Sequence, residues 1–154
     1  MGETARILIV DDDENIRKVL ATILEDEGYN VDLVENAKKA IEKTKRNFYN
    51  LALIDIRLPD MEGTELLTKV KDSTPKMRKI IITGYPTLQN AIEAVNKGAD
   101  AYVLKPFDME KVLRTIKEQL KMQYEEKRYN QEKVAEFIET RVRELNFGKE
   151  VTRK

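Results

Sequence analysis

Five short aliphatic runs recur along this chain, each closing at a polar residue and each followed by a segment of helical spacing. Ile7–Val10 ends in Asp11-Asp12-Asp13, after which Ile16, Val19, Leu20, Ile23 and Leu24 recur at helical intervals until Gly28 offers a stop. Val31–Val34 precedes a helix over Ala37–Arg46, and Leu51–Ile54 ends at Asp55. A loop of turn-forming residues follows (Leu58-Pro59-Asp60-Met61-Glu62-Gly63), then a helix through Leu66, Leu67 and Val70. Lys79–Thr83 runs into Gly84, and Leu88, Ile92 and Val95 mark a fourth helix stopped by Gly98. Ala101–Leu104 ends in Lys105-Pro106, and a last helix begins near Asp108.

Alternating strands and helices predict an α/β fold built on a doubly wound parallel sheet with helices on both faces. The strands are continuous aliphatic runs rather than alternating ones, as a strand covered on both sides requires. The crossovers are expected to be right-handed. In such sheets ligands bind at the carboxyl ends of the strands, where the strand order switches. With 154 residues, the chain has room for one domain plus an appendage.

Several chemistries are excluded by what the chain lacks. It has no cysteine and no histidine, which removes thiol catalysis, imidazole acid–base work and nearly every zinc or haem site. Lys plus Arg is 28 and Asp plus Glu is 28, a balance that suggests no general nucleic-acid or membrane-surface binding. No apolar run approaches the ~20 residues needed to span a bilayer, and Met1–Arg6 lacks a signal-peptide pattern. A cytoplasmic protein is the expectation.

The polar residues at the strand ends carry the chemistry. Asp11, Asp12, Asp55, Thr83 and Lys105 each stand just past, or at, the end of a predicted strand, and a parallel sheet brings those ends to one rim. Any one of them alone reads as a helix cap, and Asp13, before Glu14-Asn15-Ile16, is expected to be one. Together they gather three carboxylates, a hydroxyl and an ammonium group. Crowded carboxylates repel unless cations compensate. Lys105 supplies one charge, and oxygen-only ligands favour Mg²⁺ for the rest. A carboxylate beside a divalent cation and a lysine suits phosphoryl transfer: the carboxylate attacks phosphorus while the cations neutralise the phosphoryl oxygens.

From about Ala5 to about Leu120 the chain resembles the receiver domains of two-component response regulators. The resemblance rests on four motifs in order: Ile-Leu-Ile-Val-Asp-Asp-Asp (7–13), Ala-Leu-Ile-Asp-Ile-Arg-Leu-Pro-Asp-Met-Glu-Gly (52–63), Ile-Ile-Ile-Thr-Gly-Tyr (80–85) and Gly-Ala-Asp-Ala-Tyr-Val-Leu-Lys-Pro-Phe (98–107). It implies a flavodoxin-like sheet of order 2-1-3-4-5, with Asp55 as the phospho-acceptor fed by a sensor histidine kinase. Asp11 and Asp12 match the acidic pair that holds Mg²⁺ together with Asp55 and the backbone carbonyl of Arg57. Thr83 matches the switch hydroxyl, Tyr102 the switch aromatic and Lys105 the lysine that contacts the phosphoryl group. Gly84 matches a small position giving the phosphoryl group access, and Lys105-Pro106 a bond that is often cis in this family. Read without the resemblance, Tyr102 is a packing residue of a strand, and Pro59 and Gly63 are turn residues. The implied output is binding rather than turnover, through a changed surface of the fourth helix, fifth strand and fifth helix. Apart from its own phosphorylation and dephosphorylation, no enzymatic activity is expected.

After Leu120 the composition changes, so residues 1–120 read as the receiver and 121–154 as a helical extension. Val134, Phe137, Ile138, Val142 and Leu145 form an apolar stripe, Glu139 and Arg143 a supportive i,i+4 pair, and Glu125–Lys133 an almost wholly polar stretch. The extension reads as a homodimerisation or docking helix, a solvated helix, or a linker from a longer transcriptional regulator of the nitrogen-regulatory type. No phosphate-binding GxxxxGK[ST] loop and no basic recognition helix is present, so no direct nucleic-acid binding is expected. A Mg²⁺-dependent phosphohydrolase of the haloacid dehalogenase type is a competing reading of Leu8–Asp13. It wants Thr or Val where this chain has Asn15, and a capping insert that is missing. A dinucleotide-binding fold fails for want of a Gly-rich turn after the first strand.

Overall fold

Alternate residues of each aliphatic run point to opposite faces of one sheet, and both faces are covered. The computed structural model of the chain describes residues 4–84, 86–106 and 108–152, with side chains as far as position 146. Tyr85 and Phe107, which close two of the motifs, lie outside the described residues. The elements run β1 (Arg6–Val10), α1 (Glu14–Asp26), β2 (Asn30–Val34), α2 (Ala37–Arg46), β3 (Leu51–Asp55), α3 (Gly63–Leu66), β4 (Arg78–Thr83), α4 (Leu88–Asn96), β5 (Ala101–Leu104) and α5 (Met109–Thr152). The five strands are parallel and lie in the order β2-β1-β3-β4-β5. Ile7, Ile9, Leu51, Leu53, Ile80 and Ile82 pack with Leu20 and Leu24 of α1 and Val112 and Ile116 of α5. Leu8, Val10, Ala52, Ile54 and Ile81 face the other way, toward Ala37 and Ala40 of α2, Leu66 of α3 and Ala94 of α4. Burying both faces of a strand is what makes its sequence continuously aliphatic.

Local signals account for the helix ends. The Asp13 side chain caps α1 by accepting from the amides of Asn15 and Ile16, as its position before the helix predicts. Gly28 and Gly98 follow α1 and α4 with φ of +95° and +103°, a conformation that glycine adopts without strain.

One expectation is corrected. The third helix is only Gly63–Leu66; Leu67 and Val70 are buried, but in turns. Past Leu66 the turns tighten, with Thr68 N on Glu65 O and Lys69 N on Leu66 O, three residues back. After Val70 they stop, as Leu67 O accepts from Lys79 Nζ at 3.1 Å and Lys71 N donates to Thr44 Oγ1 at 3.5 Å. The fourth helix is present, but the residues that mark it are not its buried face. Leu88, Ile92 and Val95 are 78%, 52% and 69% exposed, and Ala94 is what α4 sinks into the core. Spacing reveals that a helix has a stripe, not which way the stripe points.

The first compact unit ends at Gln123 and a second begins at Tyr124. Gln123 is itself buried: Nε2 donates to the carbonyls of Asn50 and Lys76, each at 2.8 Å, and Oε1 accepts from Asn50 Nδ2 at 3.2 Å. These bonds tie α5 to the loops at the amino ends of β3 and β4. The second unit is helical throughout its described length, including the polar stretch 125–133. Arg128–Glu132 and Glu139–Arg143 pair along it, while Val134, Phe137, Ile138, Val142 and Leu145 are all exposed. No helix among the described residues is long and apolar enough to cross a membrane.

Candidate functional site

Strand register assembles the site. Val10 lies beside Ile54 and Asp55 beside Ile82, so Asp11, Asp55 and Thr83 emerge at one edge of three neighbouring strands. Thr83 in turn pairs with Leu104, which delivers Lys105 to the same rim. Asp11 and Thr83 are fully buried, Asp55 is nearly so at 7% exposure, and Asp12 is exposed.

Lys105 holds the acids together. Its Nζ lies 3.2 Å from Asp11 Oδ2 and 3.1 Å from Asp55 Oδ2. Burial works against the ammonium charge, but Asp11 and Asp55 outweigh it and hold the Lys105 pKa above its ordinary value. Asp11 is pushed above the usual carboxylate range, chiefly by burial and further by Asp55, against the opposing pull of the Asp13 amide and Lys105. That amide donates to Asp11 Oδ1 at 2.9 Å, while Arg17 Nη1 holds the Asp11 carbonyl at 2.7 Å. The Arg57 amide reaches Asp55 Oδ1 at 3.2 Å, and the Arg57 side chain is exposed.

One carboxylate oxygen from each of Asp11, Asp12 and Asp55 lies within 4.8 Å of the others. Three ionised carboxylates against one lysine leave two negative charges to balance. The donors are all hard oxygens, so the set fits a hard divalent cation such as Mg²⁺.

The remaining expected positions fall around this cluster. Tyr102 lies beside Ile81 in the sheet, so its side chain and that of Thr83 project to the same face of adjacent strands. The Tyr102 ring is half-buried against the core, and its buried hydroxyl has no hydrogen-bond partner among the described residues. The Lys105–Pro106 bond is cis. Gly84 is exposed, and a β-carbon there would lie 3.8 Å from Lys105 Cβ, an ordinary contact, so sterics alone do not demand glycine.

Two features at the site have no signal in local sequence. Gly63 does not have a positive φ; it is small because a β-carbon there would come 2.2 Å from the carbonyl oxygen of Asp55 itself. Asp60, in the loop that leaves Asp55, accepts from the amides of Ala37 and Lys38 at the start of α2. Only folding brings either residue to its partner.

A family model described as the response regulator receiver domain matches residues 7–117. Among solved structures, a CheY-like response regulator receiver domain protein from Methanospirillum hungatei JF-1 is 48% identical, with a TM-score of 0.77 over 80% of this chain and 99% of that one. The beryllofluoride-activated NtrC4 receiver domain dimer is 36% identical, with a TM-score of 0.72 over 77% of this chain and 98% of that one. The transcriptional regulatory protein ZraR of Klebsiella oxytoca is 38% identical over 77% of this chain. The chain spans about a quarter of the length of such regulators, 27% for this ZraR and 26% for its Escherichia coli K12 counterpart.

Proposed function

The chain belongs to the response regulator receiver family, and from that premise we propose that it is a phosphorylation-controlled switch whose acceptor is Asp55. The observation that carries this reading is the Lys105 ammonium shared between Asp11 and Asp55, with Asp12 in reach of the same point. An Asp55 carboxylate oxygen attacks the phosphorus of a phosphohistidine on a sensor kinase. The O–P bond forms as the N–P bond breaks, and the electron pair leaves with the imidazole. Lys105, already paired with the nucleophile, then neutralises a phosphoryl oxygen. Asp11, Asp12, Asp55 and the carbonyl of Arg57 would hold Mg²⁺, which would supply the remaining charge neutralisation.

If Asp12 is a ligand, Asp12→Ala should weaken Mg²⁺ binding by more than ~100-fold, beyond the ~10–100-fold loss typical of groups that only support ligands. It should also leave the metal-free protein as stable as wild type or up to about 1 kcal/mol more stable, through relief of like-charge repulsion. Calorimetric Mg²⁺ titration and thermal melts check both; wild-type affinity in the variant would move the metal elsewhere.

The output we propose is a change in self-association. Thr83 moves toward the phosphoryl group and donates a hydrogen bond to it, vacating space on the face it shares with Tyr102. Among the described residues the Tyr102 hydroxyl has no hydrogen-bond partner to lose on moving, and coupling of this kind is typically ~1–3 kcal/mol. Leu88, Ile92, Val95 and Leu104 expose apolar surface on α4 and β5, and Val134, Phe137, Ile138, Val142 and Leu145 do so on the helical extension. A second copy of the chain covers both; the NtrC4 receiver is itself a dimer when activated. Light scattering should report a larger dimer fraction after phosphorylation. Ile138→Glu should lower that fraction, and Thr83→Ala should accept phosphate yet show a reduced shift. Equal, monomeric masses in both states would sink this output.

A further inference from the structure

Helix α2 starts with backbone amides that no residue of the helix can satisfy. Asn36 answers one, accepting from Lys39 N at 2.9 Å. Two more are answered from 23 and 22 residues downstream: Ala37 N donates to Asp60 Oδ1 and Lys38 N to Asp60 Oδ2, each at 2.9 Å. What burial there is works to raise the Asp60 pKa, but the amides of Ala37, Lys38, Asp60 and Met61 outweigh it and hold the carboxyl below its usual range. Both oxygens of one side chain are thus committed to one helix.

Asp60 belongs to the loop that leaves Asp55. The base of that loop is closed by Gly63 N on Ile56 O at 2.7 Å and by a bridge between Arg57 and Glu62. Ile56 N is fixed on Ile82 O at 2.9 Å, and Leu58 and Met61 pack against the core. Asp60 fastens the tip. Arg57 belongs to the base, through its bridge to Glu62, and its amide reaches Asp55 Oδ1 at 3.2 Å.

We propose that Asp60 is a positioning residue for the phosphoryl and metal site: by clamping the loop tip to α2, it holds the Arg57 peptide where its amide steadies Asp55 and its carbonyl serves Mg²⁺. The proposal rests on the reading of Asp55 and Arg57 given above. A helix cap with no such role would stabilise α2 and leave the metal site untouched, and Asn36 provides that comparison on the same helix end.

The test is calorimetric Mg²⁺ titration with thermal melts on the full chain, for wild type, Asp60→Ala, Asp60→Asn and Asn36→Ala. Asp60→Ala should weaken Mg²⁺ binding about tenfold, as loss of a group that orients a ligand commonly does. Asp60→Asn should weaken it less, because its single amide oxygen still accepts from one of the two amides. Asn36→Ala should lower the melting temperature and keep wild-type Mg²⁺ affinity. Wild-type affinity in Asp60→Ala, or an equal loss in Asn36→Ala, overturns the proposal. Should Asp60→Ala fail to fold, Asp60→Asn against Asn36→Ala makes the same comparison. A wild-type chain that binds no Mg²⁺ overturns instead the metal reading on which the proposal rests, and the proposal with it.

Discussion

Asp55→Asn is expected to abolish covalent phosphorylation while leaving the fold intact. With a small acyl phosphate donor and Mg²⁺, the mass of the wild-type chain should rise by one phosphoryl group, and that of the variant should not change. The substitution is close to isosteric at a site that is 7% exposed, so packing survives. An amide oxygen still accepts from the Arg57 amide, which lies 3.2 Å from the present Oδ1. What disappears is the carboxylate oxygen that pairs with Lys105 Nζ at 3.1 Å, the proposed nucleophile toward phosphorus. Stability should move by less than about 1 kcal/mol, because the lost ion pair is offset by relief of repulsion with Asp11. Chelating divalent cations with EDTA should block wild-type phosphorylation as well, since Lys105 alone cannot balance the phosphoryl oxygens. Modification of Asp55→Asn at the wild-type rate would place the acceptor elsewhere.

The strands and the rim residues were legible in the sequence because the same physical constraint writes both. A strand buried on two faces must be aliphatic throughout, so the first polar residue after Val10 or Ile54 marks where the chain reaches the carboxyl edge of the sheet. Reading Asp11, Asp55, Thr83 and Lys105 as neighbours needed only that edge and the parallel order. The direction of the α4 stripe was not legible: Leu88, Ile92 and Val95 carry the spacing of a core face and lie outside. The short α3 was hidden too: the turns after Leu66 tighten to bonds three residues back, and Lys79 and Thr44, remote in sequence, take Leu67 O and Lys71 N, which would have continued it past Val70. Asp60 and Gly63 share this blindness. Asp60 looks like a turn residue, and its partners lie 22 and 23 positions earlier. Gly63 looks like a flexible turn glycine, and its function is to be narrow.

Gly63→Ala sets two effects of opposite sign against each other beside the proposed phosphoryl site. Gly63 opens α3 with an ordinary φ, so alanine would by propensity favour the helix by up to about 1 kcal/mol. Against this, its β-carbon would lie 2.2 Å from the carbonyl oxygen of Asp55, 2.9 Å from Ile56 Cα and 3.0 Å from the carbonyl carbon of Asp55. All three are backbone atoms, so no rotamer change relieves the clash and β3 or α3 must shift. Overpacking of this kind typically destabilises by about 1–3 kcal/mol, sometimes more, and here the neighbours are the stiffest atoms available. The steric term should win. A net loss of about 2 kcal/mol, or roughly 5–10 °C in melting temperature, is the expected result. The displaced backbone carries Asp55, the proposed acceptor, so phosphorylation should slow even at temperatures where the variant remains folded. Gly84→Ala is the control: its β-carbon would sit 3.8 Å from Lys105 Cβ, and its stability should match wild type within about 0.5 kcal/mol. A Gly63→Ala chain that melts at or above the wild-type temperature would mean that helix propensity dominates and that the close approach to Asp55 is not what requires glycine.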